Sequence, residues 1–267
     1  MAVAGSRIYV LGGFDPGSAA NEEYDPSSRS WRARAPLPQG RDHAAAAAVA
    51  GRVYLVGGFR GGNPESNTWE YDPASNAWRE RAPMPTPRGA LAAVGMGGLM
   101  YAVGGVSAGR DTGALEAFDP ATNTWRQLAP MPTPRDHLAA AAVGDALYVI
   151  GGRLGDMARN LPTMEAYDPS RNAWTLRRAM PTARSGLAAA ALGGRIFVFG
   201  GEQPAGTFSQ NESYDPATDE WAIHAPLPSP RHGLGAVGLA NAIHTLAGGP
   251  TPGGSASGAH EIWIPGN

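Results

Sequence analysis

The 267-residue chain contains no cysteine. Its absence excludes disulfides, a thiolate nucleophile and cysteine-ligated zinc. It leaves the cellular compartment open, because a cysteine-free protein withstands both reducing and oxidising surroundings.

The sequence also lacks an excess of charge and any long apolar run. Its 21 basic residues nearly balance 23 acidic residues, for a formal net charge of -2. Nucleic-acid-binding proteins usually carry a basic excess or a basic stripe, so we expect no nucleic-acid partner. No stretch of about 18 apolar residues is present, so we expect no membrane span. Residues 1–5 lack the features of a secretory signal, and we expect none in this sequence.

Glycine and proline, in contrast, are abundant and evenly spread, with 37 and 24 copies. Such spacing predicts frequent turns and not a disordered linker. The turns follow a repeat, because a glycine pair closes an apolar run six times, at Gly12-Gly13, Gly57-Gly58, Gly104-Gly105, Gly151-Gly152, Gly200-Gly201 and Gly248-Gly249.

Each glycine pair is followed by an aromatic residue at a similar distance: Tyr24, Tyr71, Phe118, Tyr167, Tyr214 and Trp263. The first five precede Asp-Pro, and seven residues after each of them stands Trp31, Trp78, Trp125, Trp174 or Trp221. Each unit reads as four short strands, with a turn at Asp-Pro between the third and the fourth. Four strands repeated about every 45 to 50 residues predict a β-propeller.

Two alanine runs, Ala44–Ala48 and Ala139–Ala142, favour helix by intrinsic propensity. Each run occupies the position of a first strand such as Leu91–Val94. We therefore predict strands there, because innermost strands of a propeller have room only for small side chains.

The glycine pair, the aromatic residue, the Glu two positions before it and the Trp together resemble the kelch family's motif, over essentially the whole chain. That Glu is Glu22, Glu116, Glu165, Glu212 and Glu261. The resemblance implies an all-β fold, a six-bladed kelch-type β-propeller of four-stranded antiparallel blades, packed through the Tyr and Trp rings. We expect one domain over residues 1–267. No helix or Lys follows the glycine pairs, so they are not phosphate cradles, and we expect no cofactor.

Loop lengths point to one face of the propeller. Nearly all length variation lies between the second and third strands, as in 153–163 and 202–210. Variable loops on a fixed scaffold are where recognition usually occurs. The same face receives one arginine per Pro-x-x-Arg segment, so we predict a ligand-binding ring at the mouth of the central channel: Arg41, Arg88, Arg135, Arg184 and Arg231. The alternative is a framework role, in which the guanidiniums satisfy neighbouring carbonyls.

Residues that break the repeat are further candidates for ligand binding. His43 and His137 follow Arg-Asp, and His232 follows Arg231 directly. Arg153 opens the loop after the fourth glycine pair. The histidines suit acid–base or hydrogen-bonding roles, or they are simply solvated. They lie on alternate blades, too far apart for a shared metal ion, so we expect no metal site.

Two functions follow from this pattern. The first is a non-catalytic module that binds a protein, a peptide or a small acidic ligand through this face. The alternative is a carbohydrate-handling enzyme, since the arginines and histidines are similar to those of the bacterial sialic acid mutarotases within the kelch group. The strict regularity and short loops depart from that group.

The chain ends give a separate prediction. The sixth unit stops after its third strand, and residues 1–4 align with only part of a first strand. We predict a three-stranded sixth blade, a short first strand in the first blade and an exposed edge along Glu261–Ile264. The pattern suggests that some twenty upstream residues precede this sequence. We expect a monomer, with dimerisation through the exposed edge as the alternative.

Overall fold

The fold is known from a computed structural model, which describes residues 1–13 and 18–266. The predicted all-β architecture and the six-bladed β-propeller are confirmed, with five four-stranded antiparallel sheets and a three-stranded last sheet. The chain groups into two compact units, Met1–Pro134 and Arg135–Asn267. A single domain over the whole chain stays a prediction.

The first unit contains blades 1, 2 and 3. Blade 1 consists of β1 (Ala2–Ala4), β2 (Arg7–Leu11), β3 (Asn21–Asp25) and β4 (Ser30–Ala33). Blade 2 consists of β5 (Ala45–Val49), β6 (Arg52–Val56), a hairpin of β7 (Phe59–Arg60) and β8 (Asn63–Pro64), β9 (Thr68–Asp72) and β10 (Ala77–Arg81). Blade 3 consists of β11 (Ala92–Met96), β12 (Leu99–Val103), a hairpin of β13 (Val106–Ser107) and β14 (Arg110–Asp111), β15 (Leu115–Asp119) and β16 (Thr124–Gln127).

The second unit contains blades 4, 5 and 6. Blade 4 consists of β17 (Ala139–Val143), β18 (Ala146–Ile150), a 3-10 turn (Met157–Arg159), β19 (Met164–Asp168) and β20 (Ala173–Leu176). Blade 5 consists of β21 (Ala188–Leu192), β22 (Arg195–Phe199), a hairpin of β23 (Glu202–Gln203) and β24 (Gly206–Thr207), β25 (Asn211–Asp215) and β26 (Glu220–Ile223). Blade 6 consists of β27 (Gly235–Leu239), β28 (Ala242–Leu246) and β29 (His260–Trp263).

The alanine runs are strands, as predicted, and the helical alternative is wrong. β5 pairs with β6 along its whole length, and β17 pairs with β18 in the same way. Small side chains are needed because first strands of neighbouring blades approach closely. A Cβ built on Gly95 in β11 would lie 2.0 Å from the carbonyl oxygen of Ala48 in β5. Close approach between blades therefore overrides the helix propensity of alanine.

The motif aromatics pack as expected. The ring of Trp125 lies 5.2 Å from that of Phe118 within blade 3. Its indole Nε1 donates a hydrogen bond of 2.9 Å to the carbonyl oxygen of Ala82, in the segment that leaves blade 2. Trp78 and Trp221 make the same bond to Ala35 and Arg178. Each of these tryptophans thus joins its blade to the preceding segment of the same unit.

The predicted three-stranded sixth blade and short first strand are confirmed in the described ranges. Blade 6 has three strands, and β1 has three residues where the other first strands have five. In the part of the chain that the structure describes, β29 pairs only with β28. Ile262 on this edge is 52% exposed and Ile264 is 38% exposed, so apolar side chains face solvent there.

Over the described ranges, no helix has the length and apolar character needed to cross a bilayer.

Candidate functional site

The five Pro-x-x-Arg arginines lie in the interior of the protein, where these residues are at most 2% exposed. Four of them pair with the motif Glu of the blade that follows. The ion-pair distances are 3.0 Å for Arg88–Glu116, 2.5 Å for Arg135–Glu165, 2.5 Å for Arg184–Glu212 and 2.7 Å for Arg231–Glu261. Arg41 is the exception, and its hydrogen bond of 2.9 Å goes to the carbonyl oxygen of Gly57.

Each paired arginine also satisfies main-chain carbonyls. Arg88 donates to the carbonyl oxygens of Ala102, Gly104 and Ala114 as well as to Glu116. Burial lowers the pKa of Arg88 to about 10, and the Glu116 carboxylate opposes that shift. The guanidinium therefore stays charged at neutral pH, held by its carboxylate and carbonyl partners.

This placement corrects the expected geometry of an open arginine ring. A charge is buried in a protein only with a partner, and the motif Glu supplies that partner within each blade. These contacts match the framework alternative, in which the guanidiniums satisfy neighbouring carbonyls. A ligand-binding role for Arg41, Arg88, Arg135, Arg184 and Arg231 stays a prediction, and the donors of the last four are largely engaged inside the fold.

The residues that differ between the repeats form separate contacts. His43 is partly exposed, and its Nδ1 lies 2.6 Å from Oδ1 of Asp42. Its ring also contacts that of Phe59, with 5.7 Å between the centroids. His43 has a φ of 49° and His137 a φ of 49°, so both occupy the same left-handed turn after the arginine. The two Arg-Asp-His segments thus build the same Asp–His pair in blades 2 and 4.

A connected set of charges is found in the second unit, which we call the charged network: Asp136, His137, Arg153, Glu202 and His232. Arg153 donates from Nε to Oδ1 of Asp136 at 3.0 Å and from Nη1 to Oε1 of Glu202 at 2.9 Å. Its Nη2 lies 3.1 Å from Nε2 of His137. Three donors of one guanidinium are therefore engaged by two carboxylates and an imidazole.

The tautomer of His137 follows from these partners. A guanidinium only donates hydrogen bonds, so Nε2 of His137 accepts the bond from Arg153. The proton of the neutral ring is then on Nδ1, which donates to Oδ1 of Asp136. Both ring nitrogens are engaged, and the imidazole is fixed in orientation.

Glu202 joins the strand 2–3 loops of blades 4, 5 and 6. Besides Arg153, its carboxylate accepts from the amide of Gly253 at 3.0 Å and lies 3.3 Å from Nδ1 of His232. Its main-chain oxygen accepts from the side chain of Asn160 at 2.7 Å. The Glu202 side chain is only 3% exposed, so these bonds form in a poorly solvated environment.

Three polar atoms around this network are buried and have no hydrogen-bond partner among the described residues. They are Nε2 of His232, Oγ of Ser185 and Oδ1 of Asn160. Each is able to accept or donate a bond to water or to a bound group. In the same ranges, no three His, Asp or Glu side chains converge to hold a metal ion.

Sequence reasoning identified His137, Arg153 and His232 but missed Asp136, Asn160 and Glu202. A usable signal was the residue that follows each glycine pair. It is apolar in blades 2 and 3, as Phe59 and Val106, and charged in blades 4 and 5, as Arg153 and Glu202. Aligning the repeats at that position separates the charged network from the framework.

Comparison with known proteins places the chain in a family. The model described as the KLHDC2/KLHL20/DRC7 Kelch-repeats domain matches residues 1–152, and the Kelch motif matches 134–181 and 183–228. Kelch-like protein 35 of Homo sapiens is 42% identical over 64 residues, which is 23% of this chain and 11% of that protein. An F-box/kelch-repeat protein of Arabidopsis thaliana is 37% identical over 80 residues, 25% of this chain and 23% of that protein.

The chain thus spans less than a quarter of the length of either curated relative in these matches. A solved structure, titled Structure of YjhT, superposes with a TM-score of 0.86 at 18% identity. The match covers 100% of this chain and 94% of the chain in that structure, and this likeness shows a shared fold. Because the first family model matches more than half of the residues, the chain belongs to the kelch-repeat family.

Proposed function

We propose that this protein is a non-catalytic binding module that recognises a protein or peptide partner through the strand 2–3 loops of blades 4, 5 and 6. The observation that supports it most is the link from Arg153 through Glu202 to the amide of Gly253. It ties three loops, one from each blade, into one hydrogen-bonded surface. A surface that is already ordered loses little conformational entropy when a partner binds.

The charge balance disfavours a small acidic ligand. Arg153 is neutralised by two carboxylates, and four of the five framework arginines are neutralised by glutamates. Little positive charge is left to attract an anion.

A second candidate function is carbohydrate handling, by analogy with the sialic acid mutarotases of the kelch group. The Asp136–His137 pair is the observation that favours it, since a carboxylate-oriented imidazole is a common acid–base device. The bond from Arg153 to Nε2 of His137 opposes it, because that nitrogen would have to be released before it exchanged a proton with a sugar.

Selection from a displayed random-peptide library tests the first candidate. We expect enriched sequences, and Glu202→Gln should weaken binding of a selected peptide about 10- to 100-fold in calorimetry, as loss of charged hydrogen bonds usually does. The matched control is Thr218→Ala, an exposed site in the turn at the opposite end of the blade 5 strands. Absence of enriched peptides, or equal weakening by both variants, would contradict the proposal.

The second candidate has its own readout in the same preparation. The rate of anomer exchange of N-acetylneuraminic acid is measured by proton NMR with and without the protein. Acceleration in proportion to protein concentration, abolished by His137→Gln, would establish the enzyme in place of the binding module. The binding proposal expects no acceleration above the spontaneous rate.

A further inference from the structure

Among the described residues, Arg41 is the one of the five Pro-x-x-Arg arginines that has no glutamate partner. In the other four blades the motif Glu lies on the third strand, as Glu116 does opposite Ala102. In blade 2 the equivalent position, opposite Leu55, is occupied by Trp69. The chain therefore keeps the buried arginine of this blade and replaces its carboxylate with an indole.

The Arg41 guanidinium is buried, with the residue only 2% exposed. Its Nη1 donates to the carbonyl oxygen of Gly57 at 2.9 Å. Its Nε and Nη2 are buried without a hydrogen-bond partner among the described residues, and so is Nε1 of Trp69. Nε and Nη2 form the side-on edge of a guanidinium, whose two parallel N–H groups match the two oxygens of a carboxylate.

The carboxylate that acts electrostatically on Arg41, Glu65, is already engaged. Glu65 forms an ion pair of 2.9 Å with Arg60. Burial is the main influence on the pKa of Arg41 and lowers it, while the charge of Glu65 raises it and that of Arg60 lowers it. Among the described residues no carboxylate forms an ion pair with Arg41, although buried charges in proteins are normally paired.

We propose that blade 2 binds a small carboxylate anion, of the size of formate or acetate, on the Nε and Nη2 edge of Arg41. The anion lies on that edge, beside the indole that occupies the position of the motif Glu in blade 2. Trp69 supplies a further donor and apolar surface. This site is independent of the charged network and of the partner proposed for it, since it lies within the first unit.

Urea unfolding in a chloride-free buffer tests the site. Formate is exchanged for gluconate at constant ionic strength, because gluconate carries the same charged group but is too bulky for a buried position. A ligand that binds only the folded state stabilises it in proportion to its occupancy. We expect the folding equilibrium constant to rise about tenfold for each tenfold rise in formate above its dissociation constant.

Trp69→Glu restores the carboxylate of the other blades and is the decisive variant. It should unfold at a higher urea concentration than the parent in gluconate and should not respond to formate. Trp69→Gln introduces a side chain with the shape of Glu but no charge, and it should keep the formate response. No response in the parent protein, or an equal response in Trp69→Glu, would overturn the proposal.

A direct measurement follows the ligand and not the unfolding of the protein, and it uses Trp69→Glu in its folded state. The line width of ¹³C-labelled formate should broaden when the parent protein is added, and Trp69→Glu should not broaden it. Equal broadening by the two proteins would place the bound formate elsewhere and contradict the assignment.

Discussion

Replacing Arg135 by Met removes one member of a buried ion pair. Arg135 donates to Glu165 at 2.5 Å, to the carbonyl oxygen of Gly151 at 2.7 Å and to that of Val149 at 3.1 Å. The Glu165 side chain is 3% exposed, so the variant leaves its charge buried without a partner. Losing one partner of a buried pair costs about 3–5 kcal/mol of unfolding free energy.

A change of this size is large for a protein whose net stability is of the order of 5–15 kcal/mol. In urea unfolding it should lower the transition midpoint by at least about 1 M, given slopes of about 1–3 kcal/mol/M. Arg135→Met combined with Glu165→Leu should recover much of the loss, because no buried charge is then left unpaired.

Arg41→Met is the matched control, since Arg41 is buried at the equivalent position without a glutamate. It should destabilise the protein in formate-free buffer less than Arg135→Met does. A loss below about 1 kcal/mol for Arg135→Met would refute the framework interpretation. So would equal losses for the two variants. If Arg135→Met kept its stability and abolished ligand binding, the arginine would belong to a binding site.

Two further predictions concern the blades. Trp125→Ala should lower the unfolding free energy by about 3–5 kcal/mol, because the ring packs on Phe118 and bonds to Ala82; an unchanged urea midpoint would contradict this packing. Burial lowers the pKa of His244 and of His260. Nδ1 of His244 and Nε2 of His260 form a hydrogen bond of 2.9 Å. The charges of His244 and Arg231 lower the pKa of His260 further. The unfolded chain then binds more protons, so stability should fall as the pH drops below about 6.5, and His244→Phe should reduce the slope.

The fold was predictable because its determinants repeat. The glycine pair, the aromatic residue and the Trp return with nearly constant spacing, so an error in one unit is corrected by the others. The first strands of neighbouring blades pack closely, and this packing favours the strand conformation of the alanine runs. The repeat identified those runs as strands although intrinsic propensity favoured helix.

The site was only partly predictable, because it depends on side-chain partners in separate segments. The sequence indicated Arg135 and Glu165 as motif residues, but 30 positions separate them, and their contact depends on strand register. The burial of the arginines depends on that contact, so it was not predicted either. Arg153 and Glu202 are 49 positions apart and bridge two blades, which no local pattern encodes.

Amide chemical shifts of the isotope-labelled protein, titrated with a library-selected peptide, test the central claim most directly. The account predicts that the largest changes occur at the loop amides held by the charged network, such as Gly155 and Gly253. Turns at the opposite end of the strands, such as the one containing Thr218, should remain unchanged. Changes confined to those turns, with the loop amides unaffected, would contradict it.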